Sequence, residues 1–256
     1  MSLPLAISVP HAGLLVPTEL RDQCLLSLDQ IVADGDVGSA EIYALRSHVD
    51  RFATTQVARA VIDMNRAADD DARADGLTKT HTCWQEPVWR EPLSPAARRS
   101  LVDRYHAPYH RKLRGFTGKV KLGVDCHTMS DVGPPIGPDS GRPRPLVCLG
   151  DVQGTSCPSS WMEALQECLL RYLGSAGDVT INEPFAGGYI TRSHCLEMPW
   201  VQLEMSRTAD LSVADKHEAV LRALQDWCAL DLSAPVNVAA RELPRVSPTQ
   251  TPTKEG

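Results

Sequence analysis

The chain has 256 residues, 43% of them hydrophobic, and a formal net charge of −6; this is enough apolar material for a buried core, with no basic surplus to hold nucleic acid. No apolar run approaches the roughly 18 residues of a membrane-spanning helix. The apolar start Leu3 to Val9 is interrupted by Pro4, closed by Pro10 and lacks a positively charged lead, so no signal peptide, a cytoplasmic location and neither a nucleic-acid nor a membrane partner are expected.

In chain order, the first apolar run, Leu5–Val9, reads as a strand that ends in Pro10-His11. A helix is predicted over Val37–Phe52, with Asp36 and Glu41 at its opening, and a second strand over Ala58–Asp63, followed by Met64-Asn65-Arg66. The connection Ala67–Pro95 is too long and polar for a simple link; with Asp69-Asp70-Asp71 and the Trp84 to Trp89 stretch it could form a lid. A helix over Ala96–Phe116 leads to a strand at Leu122–Cys126, with Asp125 and His127 at its mouth. The Pro/Gly-rich Asp131–Pro145 reads as a structured loop beside the site. Strands at Leu146–Leu149, Val179–Asn182 and Val201–Glu204 then alternate with helices at Ser159–Leu173 and Val213–Leu230. The helix at Ser159–Leu173 is bracketed by Pro158 and Gly174, and its apolar residues follow helical spacing. Alternation of this kind predicts an α/β fold: a largely parallel sheet with helices on both faces. A single catalytic domain is expected over residues 1–232 and a disordered tail over 233–256. The oligomeric state is not legible.

Ligands in open α/β sheets bind beyond the carboxyl ends of the strands. The polar residues there are His11, Asp63-Met64-Asn65-Arg66, Asp125 and His127, Gly150-Asp151, Asn182-Glu183, and Glu204 with Arg207. Two strand-end histidines far apart in sequence, with Asp36 or Glu41 between them, suit a divalent metal, zinc above all, that keeps one coordination position open. Glu204 sits in an apolar frame where an unpaired carboxylate is costly. It is either a general acid/base near the metal or a structural partner of Arg207 or Arg66. Arg66 and Arg207 offer planar forks that match a carboxylate, pointing to an anionic substrate. The eight cysteines show no C-x2-C pair and read as buried thiols. Cys126, beside His127, could be taken for a nucleophile with His127 or His194, but strand alternation places it on the face opposite His127.

In these residues the chain resembles the N-formylglutamate amidohydrolase family, relatives of the zinc carboxypeptidase and aspartoacylase enzymes. The resemblance rests on Pro10-His11-Ala12-Gly13, Asp34-Gly35-Asp36, Val61-Ile62-Asp63-Met64-Asn65-Arg66 and Asp125-Cys126-His127-Thr128-Met129. It continues through Leu149-Gly150-Asp151-Val152-Gln153-Gly154, Asn182-Glu183-Pro184-Phe185-Ala186-Gly187-Gly188 and Gln202-Leu203-Glu204-Met205-Ser206-Arg207, all in one order. It implies a three-layer α/β/α fold with a mixed, largely parallel sheet of the zinc carboxypeptidase, phosphorylase/hydrolase-like kind. It also implies one catalytic Zn2+, or another divalent metal, and hydrolysis of the N-formyl bond of N-formyl-L-glutamate in histidine breakdown. Under it, His11, Asp36 and His127 would hold the metal, with Glu41 as the alternative third ligand. Glu204 would be the general base, Asn65 and Arg66 would grip the substrate α-carboxylate, and Arg192, His194 and Arg207 are the further substrate-binding candidates. The chain departs from the family pattern where Ala67-Ala68-Asp69-Asp70-Asp71 replaces an Asp-Pro turn, at Cys195 in a glycine position and at Ser206 in an asparagine position. These departures leave open a different N-acylamino acid or small amide as substrate, and a non-catalytic binding homologue is the competing class.

Overall fold

The computed structural model describes residues 2–70, 74–137 and 139–230; the tail expected from residue 233 lies outside them. Six strands form one sheet in the order β2-β1-β3-β6-β4-β5: β1 Leu3–Val9, β2 Val49–Thr54, β3 Leu122–Met129, β4 Val147–Gly150, β5 Val179–Ile181 and β6 Trp200–Ser206. All neighbouring pairs are parallel except β4 with β6. The sheet is thus mixed and mostly parallel, as the sequence implied.

Side-chain alternation along the strands divides the core in two. Leu5, Ile7 and Val9 of β1, Val124 and Cys126 of β3, and Val201, Leu203 and Met205 of β6 face one side. There they pack against α5 (Ser159–Leu173) and α7 (Val213–Ala229). Ala6 and Trp200 face the other side, toward α4 (Ala107–Arg114). On that second face the strand centres carry polar residues instead: Ser8, Asp125, His127, Gln202 and Glu204, all buried. Trp200 lies across β3 only because position 123 is glycine; a Cβ there would stand 2.4 Å from the indole ring.

The helix predicted over 96–116 is present as α3 (Pro95–Leu101), a π-helical turn at Val102–His106 and α4. The wide turn is caused by Pro108, which cannot donate to the carbonyl four residues back and would clash with it. Ala107 N–H bonds to Val102 O instead.

Two sequence expectations are corrected. The helix predicted over 37–52 shrinks to α2 (Ser39–Ile42), and Val49–Thr54 becomes the edge strand β2, paired along β1 from Leu3 opposite Val49 to Val9 opposite Thr54. The run 58–63 is not a strand. It is folded into turns closed by Val61 N–H and Ile62 N–H to Ala58 O, and it is almost wholly buried. A short apolar run has no period that separates a buried strand from a buried turn, so only pairing could decide. β3 and β6 also run past their predicted ends, so His127 and Glu204 stand inside strands, directly opposite each other in register.

In the Ala67–Pro95 connection, expected as a possible lid, the stretch 74–95 is fixed to the body. Lys79 Nζ binds both oxygens of Asp34 at 3.2 and 3.1 Å, Trp89 donates its indole N–H to Lys79 O, and Asp63 N–H reaches Leu77 O. Lys79 and Asp34 are 1% and 0% exposed, so removal of one charge strands the other in the interior. Lys79→Ala is expected to lower unfolding free energy by about 3–5 kcal/mol, read as a shifted denaturant midpoint at unchanged slope.

Candidate active site

His11 follows β1 and His127 lies in β3, and the chain turns so that Asp36, between α1 (Leu28–Asp34) and α2, meets both. His11 Nδ1 and His127 Nδ1 are 3.2 Å apart, and Asp36 Oδ2 lies 3.3 and 3.0 Å from them. The outer ring nitrogens are taken: His11 Nε2 lies 2.7 Å from Asp63 Oδ1 and His127 Nε2 lies 2.9 Å from Asp125 Oδ2. An ionised carboxylate only accepts, so each Nε2 carries a proton, and in its neutral form each ring turns an Nδ1 lone pair inward. Two imidazole lone pairs and a carboxylate oxygen converging at 3.0–3.3 Å repel one another unless a proton or a metal cation sits between them. Tetrahedral ligands about 2.1 Å from a common centre stand about 3.4 Å apart, close to this spacing. The donor set fits a divalent metal, and among the described residues this is the one His/Cys/Asp/Glu group so arranged. Glu41 is exposed on α2 and is not part of the group.

The surrounding charges hold this arrangement. The Asp36 and Asp63 carboxyls are held well below their usual range; burial alone would raise both, and neighbouring cationic or imidazole groups outweigh it. For Asp63 these are His11, Arg66 and Arg59. Burial would likewise lower the His127 pKa, but Asp125 and Glu204 raise it well above its usual value. Asp125 is in turn fixed by Ser8 Oγ at 2.8 Å, which contacts Tyr109 Oη at 2.9 Å.

The group opens into a cavity of about 580 Å³ lined also by Asn65, Arg66, Tyr189, Arg192, Gln202, Glu204 and Arg207. Glu204 is pushed up in pKa, by burial first and by Asp36, against the pull of His127, His11 and Arg59. Its Oε1 accepts from Gln202 Nε2 at 2.9 Å. Asn65 Oδ1 accepts from Ile190 N–H at 2.8 Å, and its Nδ2 is 3.4 Å from His127 Nε2. Gly188 makes this fit possible, since a Cβ there would lie 2.1 Å from the Asn65 side chain.

The chain matches the model of the N-formylglutamate amidohydrolase family over residues 3–209. It belongs to that family of amide-hydrolysing enzymes. A relative named N-formylglutamate deformylase, from Pseudomonas putida, is 29% identical over 222 residues, 80% of this chain and 81% of the relative. The crystal structure of an N-formylglutamate amidohydrolase from Ralstonia eutropha JMP134 has the same fold, with a TM-score of 0.70, 20% identity and coverage of 89% and 90% of the two chains. So does a gene product of Agrobacterium tumefaciens, with a TM-score of 0.66, 16% identity and 88% of each chain covered.

Within this family member several sequence expectations change. Asp151 and Asn182 do not line the cavity. They bind each other at 2.8 Å, because antiparallel β4 carries its carboxyl end away from those of β1, β3 and β6. His194, expected near substrate, is buried behind α6 (Tyr189–His194) and is absent from the cavity wall. On this short helix Tyr189 and Arg192 take the cavity face. Cys126 packs on the opposite sheet face with its thiol pKa pushed well up, by burial and then by Asp125; it is no nucleophile. Sequence reasoning missed Arg59, Gln202 and Arg144, and the carboxylate support of the histidines. The i, i+2 pairs Asp125-x-His127 and Gln202-x-Glu204 carried a readable signal, because such residues share one strand face. Arg144, bound to Asp139 at 2.6 and 2.8 Å, gave none.

Asp125→Ala should weaken divalent-metal binding roughly 10–100-fold by releasing the His127 ring. Competition against a chromophoric chelator measures this directly.

Proposed function

We propose that the protein is a zinc-dependent deformylase that converts N-formyl-L-glutamate and water to formate and L-glutamate. The observation that carries this reading is the convergence of two carboxylate-backed imidazole lone pairs and Asp36 Oδ2, with Glu204 in register beside His127. His11, Asp36 and His127 would hold the zinc, which when bound polarises a carbonyl and makes water more acidic. A cytoplasmic place in histidine breakdown is consistent with this substrate.

Glu204 is the proton carrier. Gln202 occupies its Oε1, so Oε2, which has no protein partner among the described residues, takes the proton of the attacking water and returns it to the departing amine nitrogen. Its raised pKa suits a group that must both accept and give a proton near neutrality.

The substrate's carboxylates meet a cavity in which four arginines are already committed. Arg59 pairs with Asp63 at 3.2 Å, Arg66 with Asp75 at 2.6 Å, Arg144 with Asp139 at 2.6 Å, and Arg207 lies 3.8 Å from Asp36. Arg192 differs: Gly187 O anchors its Nε at 2.9 Å, and both terminal nitrogens lack a protein partner among the described residues. That free fork is suited to bind one carboxylate bidentately. Asn65 and the Arg66 fork, once exchanged from Asp75, take the other, and Arg207 braces the Asp36 side of the cavity. A second reading, a larger N-acylamino acid at the same site, is favoured by the cavity volume, which falls in the range for drug-sized ligands.

Formate release from N-formyl-L-glutamate should be abolished by a chelator and restored by zinc; no release by the zinc-loaded protein would exclude this substrate. Glu204→Gln should lower kcat by about 10²–10⁴ with KM little changed. Arg192→Ala should instead raise KM roughly 10–100-fold, the loss of a charge-assisted contact, in steady-state kinetics with the same substrate.

A further inference from the structure

Behind the Asn65-Arg66 segment lies a second group of histidines that the amide chemistry does not use. His106 and His110 stand one turn apart at the π-turn and α4, and both are buried. Each aims Nε2 at a main-chain carbonyl of the segment: His106 at Arg66 O, 2.8 Å away, and His110 at Met64 O, 2.9 Å away. A carbonyl only accepts, so both Nε2 atoms carry protons. His110 stays neutral, since burial, then His106 and His194, push its pKa down to about 3. Its Nδ1 is therefore a lone pair, and it accepts from His194 Nε2 at 2.9 Å, the two rings lying within 6° of parallel.

That contact fixes one proton on His194 Nε2. The other nitrogen, Nδ1, faces Glu197 Oε2 at 2.9 Å. A bare lone pair against a carboxylate would be repulsive, so one more proton sits between them, on Nδ1 or on Oε2. The His194 side chain is 2% exposed and that of Glu197 is 26% exposed, which makes Glu197 the end that meets water.

We infer that Glu197, His194 and His110 form a proton-bearing relay that positions the Asn65-Arg66 segment for substrate. None of the three lines the cavity, so they are positioning residues. The kinetic consequence rests on the deformylase reading above; the hydrogen-bond order does not. A His194 whose single proton sat on Nδ1, against the carboxylate, would turn an Nε2 lone pair toward the lone pair of His110 Nδ1. His110 could relieve this only by moving its own proton from Nε2 to Nδ1, which would leave the Met64 carbonyl without its donor. The groups facing the relay are His106 and Tyr109 from its own helix, Tyr189 from α6 and Trp200 from β6, with Arg114 and Asp63 acting at longer range. None of these supplies a second donor to Met64 O.

The test combines imidazole 15N spectra of histidine-labelled protein with KM for N-formyl-L-glutamate. The wild type should show His110 protonated on Nε2 alone. His194→Ala should raise KM roughly tenfold, the loss of one buried hydrogen bond, with kcat within about threefold. Glu197→Gln, whose amide N–H donates to Nδ1 of a neutral His194, should keep the wild-type KM and the His110 proton on Nε2. An unaltered KM in His194→Ala, a raised KM in Glu197→Gln, or a His110 proton on Nδ1 would each overturn the relay. If His194→Ala misfolds, Glu197→Gln carries the kinetic test. Failure of the wild type to turn over this substrate sinks the deformylase reading instead, and the imidazole spectra alone then decide the relay.

Discussion

Two carboxylates that face away from the cavity centre determine what the centre can hold. Asp63 and Asp125 accept the Nε2–H of His11 and His127, and this alone turns both Nδ1 lone pairs toward Asp36. If the tautomers were reversed, the same residues would present two N–H groups to one another and repel a cation. The supports are themselves held: Asp63 by Arg59 and the Asn65 main-chain N–H, and Asp125 by Ser8 and through it Tyr109. A chain of hydrogen bonds therefore runs from α4 through the sheet to the ring of His127.

The cost of this arrangement is a large amount of buried charge. Asp34, Asp36, Asp63, Asp125, Lys79 and Glu204 are all nearly inaccessible, and an isolated charge in such surroundings would be strongly unfavourable. Most have an opposite charge or an imidazole within bonding reach. Among the described residues Glu204 has only the Gln202 amide as a hydrogen-bonding side-chain partner, and its pKa is pushed upward, by burial first. A scaffold that pairs its structural acids in this way leaves the Glu204 carboxyl and the Arg192 fork in one cavity, the fork without an acid partner among the described residues.

Pocket walls follow from the same economy of partners. Arg66 and Arg144 are bound by Asp75 and Asp139 from the two polar connections that flank the cavity. The Lys79–Asp34 pair makes one of these connections part of the body. On the far side, Gly188 admits the Asn65 side chain against its backbone, which ties α6 to the segment that faces His127.

The sequence by itself determined the α/β class, five of the six strands in place, the helices at 95–114, 159–173 and 213–229, and the residues of the His11, Asp36 and His127 group. Strand and helix periods are local properties, and polar residues at the ends of apolar runs stand out against them. Alternation alone was enough to turn Cys126 away from His127. Only the tertiary structure decided that 49–54 is the edge strand and 58–63 a set of buried turns, because an apolar run without a period is resolved by what it pairs with. It alone reversed β4, which removed Asp151 and Asn182 from the cavity, and it alone chose Asp36 over Glu41 as the neighbour of both histidines. The role of His194 likewise depended on a helix some eighty residues earlier in the chain. Direction of pairing, the partner of each ring nitrogen and the freedom of each arginine are relations between distant residues, and no local pattern in the chain encodes them.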